Sequence, residues 1–200
     1  MSAVEVPIFT QDVPGVGVFA LRTLRIPADM PQVHDWVSRD YATYWGLQGR
    51  TVAEVEAAYR EIVRPAHVQA FLGLHDSRPA FLVECYRPAE DTLAQFYAAT
   101  PRDRGMHVLV GPAERRIRQF TWHAFTTVLE YLFSDAEVDR IVVEPDVRNV
   151  KIQALNARAG FVPQKTLELR GTTTAPGKTA LLSFCSRADY AAARVRQSLN

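Results

Sequence analysis

Two hundred residues, 48% hydrophobic and 22% charged, suffice for one domain with a substantial core. The 23 Lys and Arg against 22 Asp and Glu leave a net charge of +1, so no basic field exists to hold a phosphate backbone, and no nucleic-acid partner is expected. The N-terminal stretch has no basic-then-apolar pattern of a signal peptide, and no run of about 18 apolar residues suggests a membrane span. A cytoplasmic location without membrane association is therefore the default expectation. Cys85 and Cys185 lie in apolar, strand-like runs and read as small buried hydrophobes, which supports neither a disulfide framework nor a metal site.

Residues 1–14 contain Pro7 and Pro14 and no sustained period, and read as an irregular lead-in to a single domain spanning 1–200. Val16 to Leu24 is apolar and β-rich enough for a first strand. Pro31 marks a helix start within Asp29 to Ala42. Thr51 and Glu54 form a capping box that opens a helix to about Val63, with Val52, Val55, Tyr59 and Ile62 near helical spacing. Val68 to Leu74 and Ala80 to Tyr86 predict a hairpin across a polar linker. Arg87 to Arg104 reads as a loop with a short helical turn near Leu93 to Ala98, and Met106 to Val110 as a strand stopped by Gly111-Pro112. A long amphipathic helix is predicted over about Arg115 to Phe133. Ile141 to Val143 suits a short buried strand. Arg148 to Ala159 predicts a helix ended by Gly160. Phe161 to Leu169 and Thr179 to Cys185 read as closing strands. The strand–helix–strand order in the middle implies a parallel pair with a right-handed crossover, hence an α/β mixed sheet with ligands beside strand ends.

The segment Val142-Val-Glu-Pro-Asp146-Val-Arg-Asn149, continued by Ala157-Arg-Ala-Gly160-Phe161, resembles the C-terminal signature of GNAT acyltransferases. In that family a strand ends in a polar residue, an Asn opens the next helix, and the helix closes on Gly-Phe. The resemblance implies a mixed, mostly antiparallel sheet with a central splayed parallel strand pair and flanking helices. It also implies an acyl-CoA co-substrate, acetyl-CoA or another short acyl-CoA, and no metal. A narrower likeness runs from Trp36 to about Cys185. His34-Asp-Trp36, Tyr44-Trp45-Gly46, Glu84-Cys-Tyr86, Ala89-Glu-Asp91, Arg104-Gly-Met-His107-Val-Leu-Val-Gly111 and Glu144-Pro-Asp146 recur in that order. They look like the branch that acylates N-hydroxylated lysine, ornithine or diamines in hydroxamate siderophore assembly. That likeness implies His107 and Asp146 as the catalytic pair, with the backbone of Val108 and Val110 and the side chain of Asn149 at the donor.

One stretch departs from the family pattern. Its pyrophosphate loop usually carries glycines that let backbone N–H groups approach phosphate at a helix N-terminus. The matching Glu114 to Thr121 has none. Either Arg115, Arg116 and Arg118 bind phosphate through their side chains, or donor affinity is weakened and the protein serves another task. Positive charge at a helix start opposes the helix dipole, which favours an anionic ligand there.

Each candidate also has a plainer reading. His107 shares a strand face with Leu109 and suits either a satisfied structural histidine or a general base near neutral pH. Asp146 suits a helix cap as well as a catalytic carboxylate, and Asn149 a cap as well as a donor contact. Trp45 covers the core or walls a substrate channel. Glu84 faces solvent or, with Tyr86, helps hold the substrate, its carboxylate on a distal ammonium. The expected reaction joins a CoA thioester to an amine or hydroxylamine, on a monomer or homodimer. Its rivals are an N-acetyltransferase for another amine, such as an aminoglycoside, and a non-catalytic acyl-CoA-binding module.

Overall fold

The computed structural model describes residues 6–113, 116–171 and 177–198. Among them, eight strands form one mixed sheet in the order β1-β2-β3-β4-β5-β6-β8-β7. These are β1 (Phe9–Val13), β2 (Gly17–Thr23), β3 (Val68–His75), β4 (Arg78–Tyr86), β5 (Asp103–Val110), β6 (Arg140–Val143), β7 (Val162–Leu169) and β8 (Lys178–Ser186). The helices are α1 (Met30–Val37), α2 (Val52–Ile62), α3 (Phe120–Ser134), α4 (Val150–Ala159) and α5 (Arg187–Ser198). The chain gathers into two compact units, Met1–Glu84 with His107–Tyr131, and Cys85–Met106 with Leu132–Asn200.

In the first unit, alternation along the strands sorts side chains between two faces. Ala70 and Leu72 of β3, Leu82 of β4 and Leu109 of β5 join a core with Met30, Val33, Trp36 and Val37 of α1 and Val55 and Tyr59 of α2. On the other face Phe71 meets Tyr131 of α3 edge-on at 5.4 Å, and Phe19 lies 5.4 Å from Phe120. The predicted capping box of α2 is present, with Thr51 N–H donating to Glu54 at 2.7 Å and Glu54 N–H to Thr51 Oγ1 at 3.3 Å. The β3–β4 turn is tight, with Asp76 and Ser77 at φ of 46° and 67°.

In the second unit, β5 and β6 form the expected parallel pair, in register from Asp103–Arg140 to Gly105–Val142. β6 pairs antiparallel with β8, and β8 with β7. Asp103, 1% exposed, anchors the pair: it takes Arg140 Nη2 at 2.7 Å and Tyr97 Oη at 2.9 Å. α4 is capped at both ends. Asn149 Oδ1 accepts from Ile152 N–H at 3.3 Å, and Gly160 closes the helix at φ 98°, where a β-carbon would stand 2.6 Å from the Asp189 carbonyl oxygen.

Three expectations are corrected. The lead-in 1–14 contains β1, paired antiparallel to β2 from Phe9–Leu21 to Val13–Gly17. Its alternation is masked because the middle inward residue is polar: Gln11 accepts from Thr127 Oγ1 at 2.8 Å. α3 opens at Phe120 instead of Arg115, because Gln119 takes a left-handed φ of 57°. α5 follows the last strand unpredicted, since only Tyr190 and Ala193 of this Ala- and Arg-rich helix are buried apolar positions. Its start does carry a readable signal. Ser186 Oγ donates to Asp189 Oδ2 at 2.6 Å, and Asp189 N–H donates back to Ser186 Oγ at 3.1 Å.

Candidate active site

Four side chains of the first unit form a continuous hydrogen-bonded chain. Trp45 closes a 3₁₀ turn over Asp40–Trp45, ended by Gly46 at φ 82°. Its Nε1–H donates to Tyr59 Oη at 3.0 Å, and Tyr59 Oη–H donates to Glu84 Oε1 at 2.9 Å. The other carboxylate oxygen, Oε2, stands 3.1 Å from His107 Nδ1. Trp45 also meets the His107 ring in a T-shaped contact at 6.4 Å. Leu82 and Leu109 precede Glu84 and follow His107 by two residues, so strand alternation puts both polar groups on the core face that α1 and α2 cover.

Burial gives this chain its direction. Tyr59 is fully buried, and burial, followed by the charge of Glu84, pushes its phenol well above 10. The phenol is therefore a fixed proton donor, with its oxygen already accepting from Trp45. Glu84 is 9% exposed rather than solvent-facing, and both its oxygens accept. A carboxylate in that position holds the imidazole proton on Nδ1 and assigns the lone pair to Nε2. The His107 side chain is 38% exposed, so it is reachable while its partner is not.

In the second unit the Glu144-Pro-Asp146 turn continues beyond β6 along β8. Leu181 N–H donates to the Pro145 carbonyl at 2.9 Å, and Val147 N–H to that of Thr179 at 3.0 Å. Asp146, 6% exposed, accepts from Arg148 through N–H at 2.8 Å, Nε at 2.9 Å and Nη2 at 2.6 Å. The Arg148 hydrogen bonds outweigh desolvation and hold its carboxyl at about 2. The helix cap proper is Asn149, whose own N–H donates to the Asp146 carbonyl at 2.9 Å, so capping falls one turn later than Asp146. Tyr86, 7% exposed, donates to Glu144 Oε2 at 2.7 Å, and Lys178 Nζ lies 3.5 Å from Glu144 Oε1. Gly105 makes room for the Tyr86 ring: a β-carbon there would lie 2.1 Å from it.

The structure thus brings together Trp45, Glu84 and His107, and sets Asp146 and Asn149 in one turn. Tyr86 sits with Glu144. Val108 and Val110 are half-buried on β5, Arg116 and Arg118 are exposed ahead of α3, and Arg115 lies outside the described residues. Sequence reasoning placed Tyr59 only as an apolar helix position. The available signal was a tyrosine inside a buried stripe, whose hydroxyl needs a partner. Among the described residues no group of three or more His, Cys, Asp or Glu could hold a metal ion, and no helix is long and apolar enough to cross a membrane.

Residues 25–169 match the acetyltransferase (GNAT) domain family, and the protein belongs to that family. It is similar to the N-hydroxyputrescine acetyltransferase of Acinetobacter baumannii, 24% identical over 173 residues, 86% of this chain and 79% of that protein. It is also similar to the N(6)-hydroxylysine O-acetyltransferase of Escherichia coli, 29% identical over 136 residues, 67% of this chain but 43% of that protein. Its fold matches the aminoglycoside acetyltransferase AAC(6')-Ib solved with coenzyme A, at TM-score 0.73 and 21% identity, covering 88% of this chain and 99% of that one.

Proposed function

We propose that the protein transfers a short acyl group from an acyl-CoA to an N-hydroxylated amine, forming a hydroxamate of the kind used in siderophore assembly. The observation that carries this reading is the Trp45–Tyr59–Glu84–His107 chain, in which a buried carboxylate polarises an imidazole for proton acceptance. An N-hydroxylamine is far less basic than an alkylamine and arrives largely unprotonated near neutral pH. It needs only a modest base to collect one proton as attack proceeds. His107 Nε2 takes that proton while Glu84, oriented by Tyr59, stabilises the imidazolium. The nitrogen–carbonyl bond forms, the carbonyl–sulfur bond breaks, and the thiolate leaves as the CoA product. Asp146 and Arg148 fix the turn that precedes α4. The exposed Arg116 and Arg118 suit the donor's anionic phosphates, and backbone N–H groups at Val108 and Val110 suit its carbonyls. The similarity to acetyltransferases named for hydroxyputrescine and hydroxylysine supports the choice of acceptor.

The test is thiol release from a panel of acyl-CoAs crossed with hydroxylated and plain lysine, ornithine and putrescine, with an aminoglycoside beside them. Turnover confined to the hydroxylated amines is expected. Preference for a plain amine or the aminoglycoside removes the hydroxamate assignment, and coenzyme A binding without turnover on any amine removes the enzymatic one.

A further inference from the structure

We infer that the cleft between the Glu144-Pro-Asp146 turn and the paired ends of β7 and β8 holds the α-carboxylate and α-ammonium of the acceptor. The acceptor is then an N-hydroxylated amino acid and not an N-hydroxylated diamine. The cleft lies within the second unit, has a volume of about 500 Å³, and its lining includes Val147, Arg148, Glu168, Leu169, Lys178 and Thr179. Strand pairing gathers these residues. Leu169 lies across from Lys178 and Glu168 across from Thr179, while Val147 N–H donates to the Thr179 carbonyl at 3.0 Å. The turn follows the carboxyl end of β6, a member of the parallel pair, and open α/β sheets take ligands at such ends.

The cleft carries charges of both signs, each held in place. Arg148, its side chain 74% exposed, is fixed on the buried Asp146. Lys178 Nζ lies 3.5 Å from the buried Glu144, longer than the roughly 2.7–2.9 Å of a charge-assisted bond, while Tyr86 donates to the other oxygen at 2.7 Å. An ammonium has three donors, and this is the one ion pair of Lys178 among the described residues, so donors remain for an anion in the cleft. The exposed Glu168 accepts from Thr179 Oγ1 at 2.9 and 3.0 Å, which fixes its carboxylate. An amino-acid head brings one anion, for Arg148 and Lys178, and one cation, for Glu168. A diamine brings only cations, which the two basic groups oppose, and a phosphate brings only negative charge, which Glu168 opposes. Val147 and Leu169 add apolar surface for an aliphatic chain. Side chains already fixed add little ordering cost on binding. This inference rests on the acceptor being an N-hydroxylated amine.

The experiment is thiol release with two matched pairs that differ only in the carboxylate: N6-hydroxylysine against N-hydroxycadaverine, and N5-hydroxyornithine against N-hydroxyputrescine. The parent is expected to prefer the amino acid of a pair by at least about tenfold in kcat/KM, the worth of one hydrogen bond to a charged group. Lys178→Gln, which removes the charge and keeps a polar side chain, is expected to lose most of that preference through a higher KM for the amino acid. Lys178→Arg is expected to keep it. Arg148→Gln is expected to lose it as well, and decides the matter if Lys178→Gln does not fold. A general structural defect lowers both members of a pair together and leaves their ratio in place. A parent without the preference, a folded Lys178→Gln that retains it, or a raised KM for acyl-CoA in its place overturns the assignment while leaving the hydroxamate reading intact. A parent that acylates none of these hydroxylamines overturns the hydroxamate reading, and this inference with it.

Discussion

Replacing Glu84 by Gln keeps the side chain's size and removes the feature on which the proposed mechanism depends. The carboxylate now accepts from two sides, Tyr59 Oη–H at 2.9 Å and His107 Nδ1 at 3.1 Å. An amide can accept on one side only. With its oxygen toward His107, its NH₂ group meets Tyr59 Oη, which already accepts from Trp45, and the buried phenol proton loses its acceptor. With its oxygen toward Tyr59, every group is paired, but the NH₂ faces an unprotonated Nδ1 and the imidazole proton moves to Nε2. A buried unpaired hydroxyl costs about 1–3 kcal/mol, which biases the site about 5- to 150-fold toward the second arrangement. That tautomer has no lone pair on Nε2, and no carboxylate remains to stabilise the imidazolium. Turnover of Glu84→Gln is therefore expected to fall about 10- to 1,000-fold, with the KM for acyl-CoA within about twofold. Thiol release at saturating donor measures the first quantity, and ¹H–¹⁵N NMR of labelled histidine reads the tautomer. Turnover within twofold of the parent would refute the reasoning, as would lost turnover with the proton still on Nδ1.

Other outcomes follow from the same geometry. His107→Ala is expected to lower turnover at least about 100-fold while leaving coenzyme A affinity within about threefold, read by thiol release beside calorimetry. Asp29, 5% exposed, accepts from Arg22 at 2.6 and 2.8 Å and from Arg25 at 2.9 Å. Burial alone would raise its carboxyl, but these hydrogen bonds bring it from 3.8 to about 2. A depressed carboxylate stabilises the fold above its unfolded value and loses that contribution as pH falls through its folded one. After screening at the half-exposed Arg25, about 1–2 kcal/mol is at stake, so the urea-midpoint gap between parent and Asp29→Asn should be widest near pH 7 and close between about pH 4 and 2. A pH-independent gap would contradict the assignment. Gly160→Ala combines a φ of 98° with a 2.6 Å approach to the Asp189 carbonyl oxygen, and is expected to cost at least about 1–3 kcal/mol in chemical denaturation. A neutral result would show that the α4–β7 connection can relax.

Much of the architecture was legible because its signals are local. The capping box at Thr51 and Glu54, the Gly160 stop and the short apolar run of β6 each depend on a few neighbouring residues, and each element appeared within a few residues of its expected place. β1 and α5 were lost for the complementary reason. The middle inward position of β1 is the polar Gln11, and α5 buries only Tyr190 and Ala193 as apolar residues, so hydrophobic period carries little information about them. Arg116 and Arg118 lie ahead of α3 and not within it, and nothing in the composition around Gln119 announces a left-handed backbone.

For the site, the sequence by itself determined that a histidine on a strand shares a face with core residues, that a carboxylate stands two residues before the end of β4, and that a helix ended by Gly160 follows the Glu-Pro-Asp turn. Those are matters of period and spacing. Only the tertiary structure decided which groups pair. His107 and Glu84 are 23 residues apart, and Tyr59 and Glu84 are 25 apart. Nothing local says whether Glu84 faces water, a substrate ammonium or an imidazole. Strand register and the docking of α2 settle that choice by putting a buried phenol and a strand histidine on either side of one carboxylate. The reason is physical: a side chain's role in proton transfer depends on what fills its hydrogen bonds, and in a buried site those partners come from distant parts of the chain.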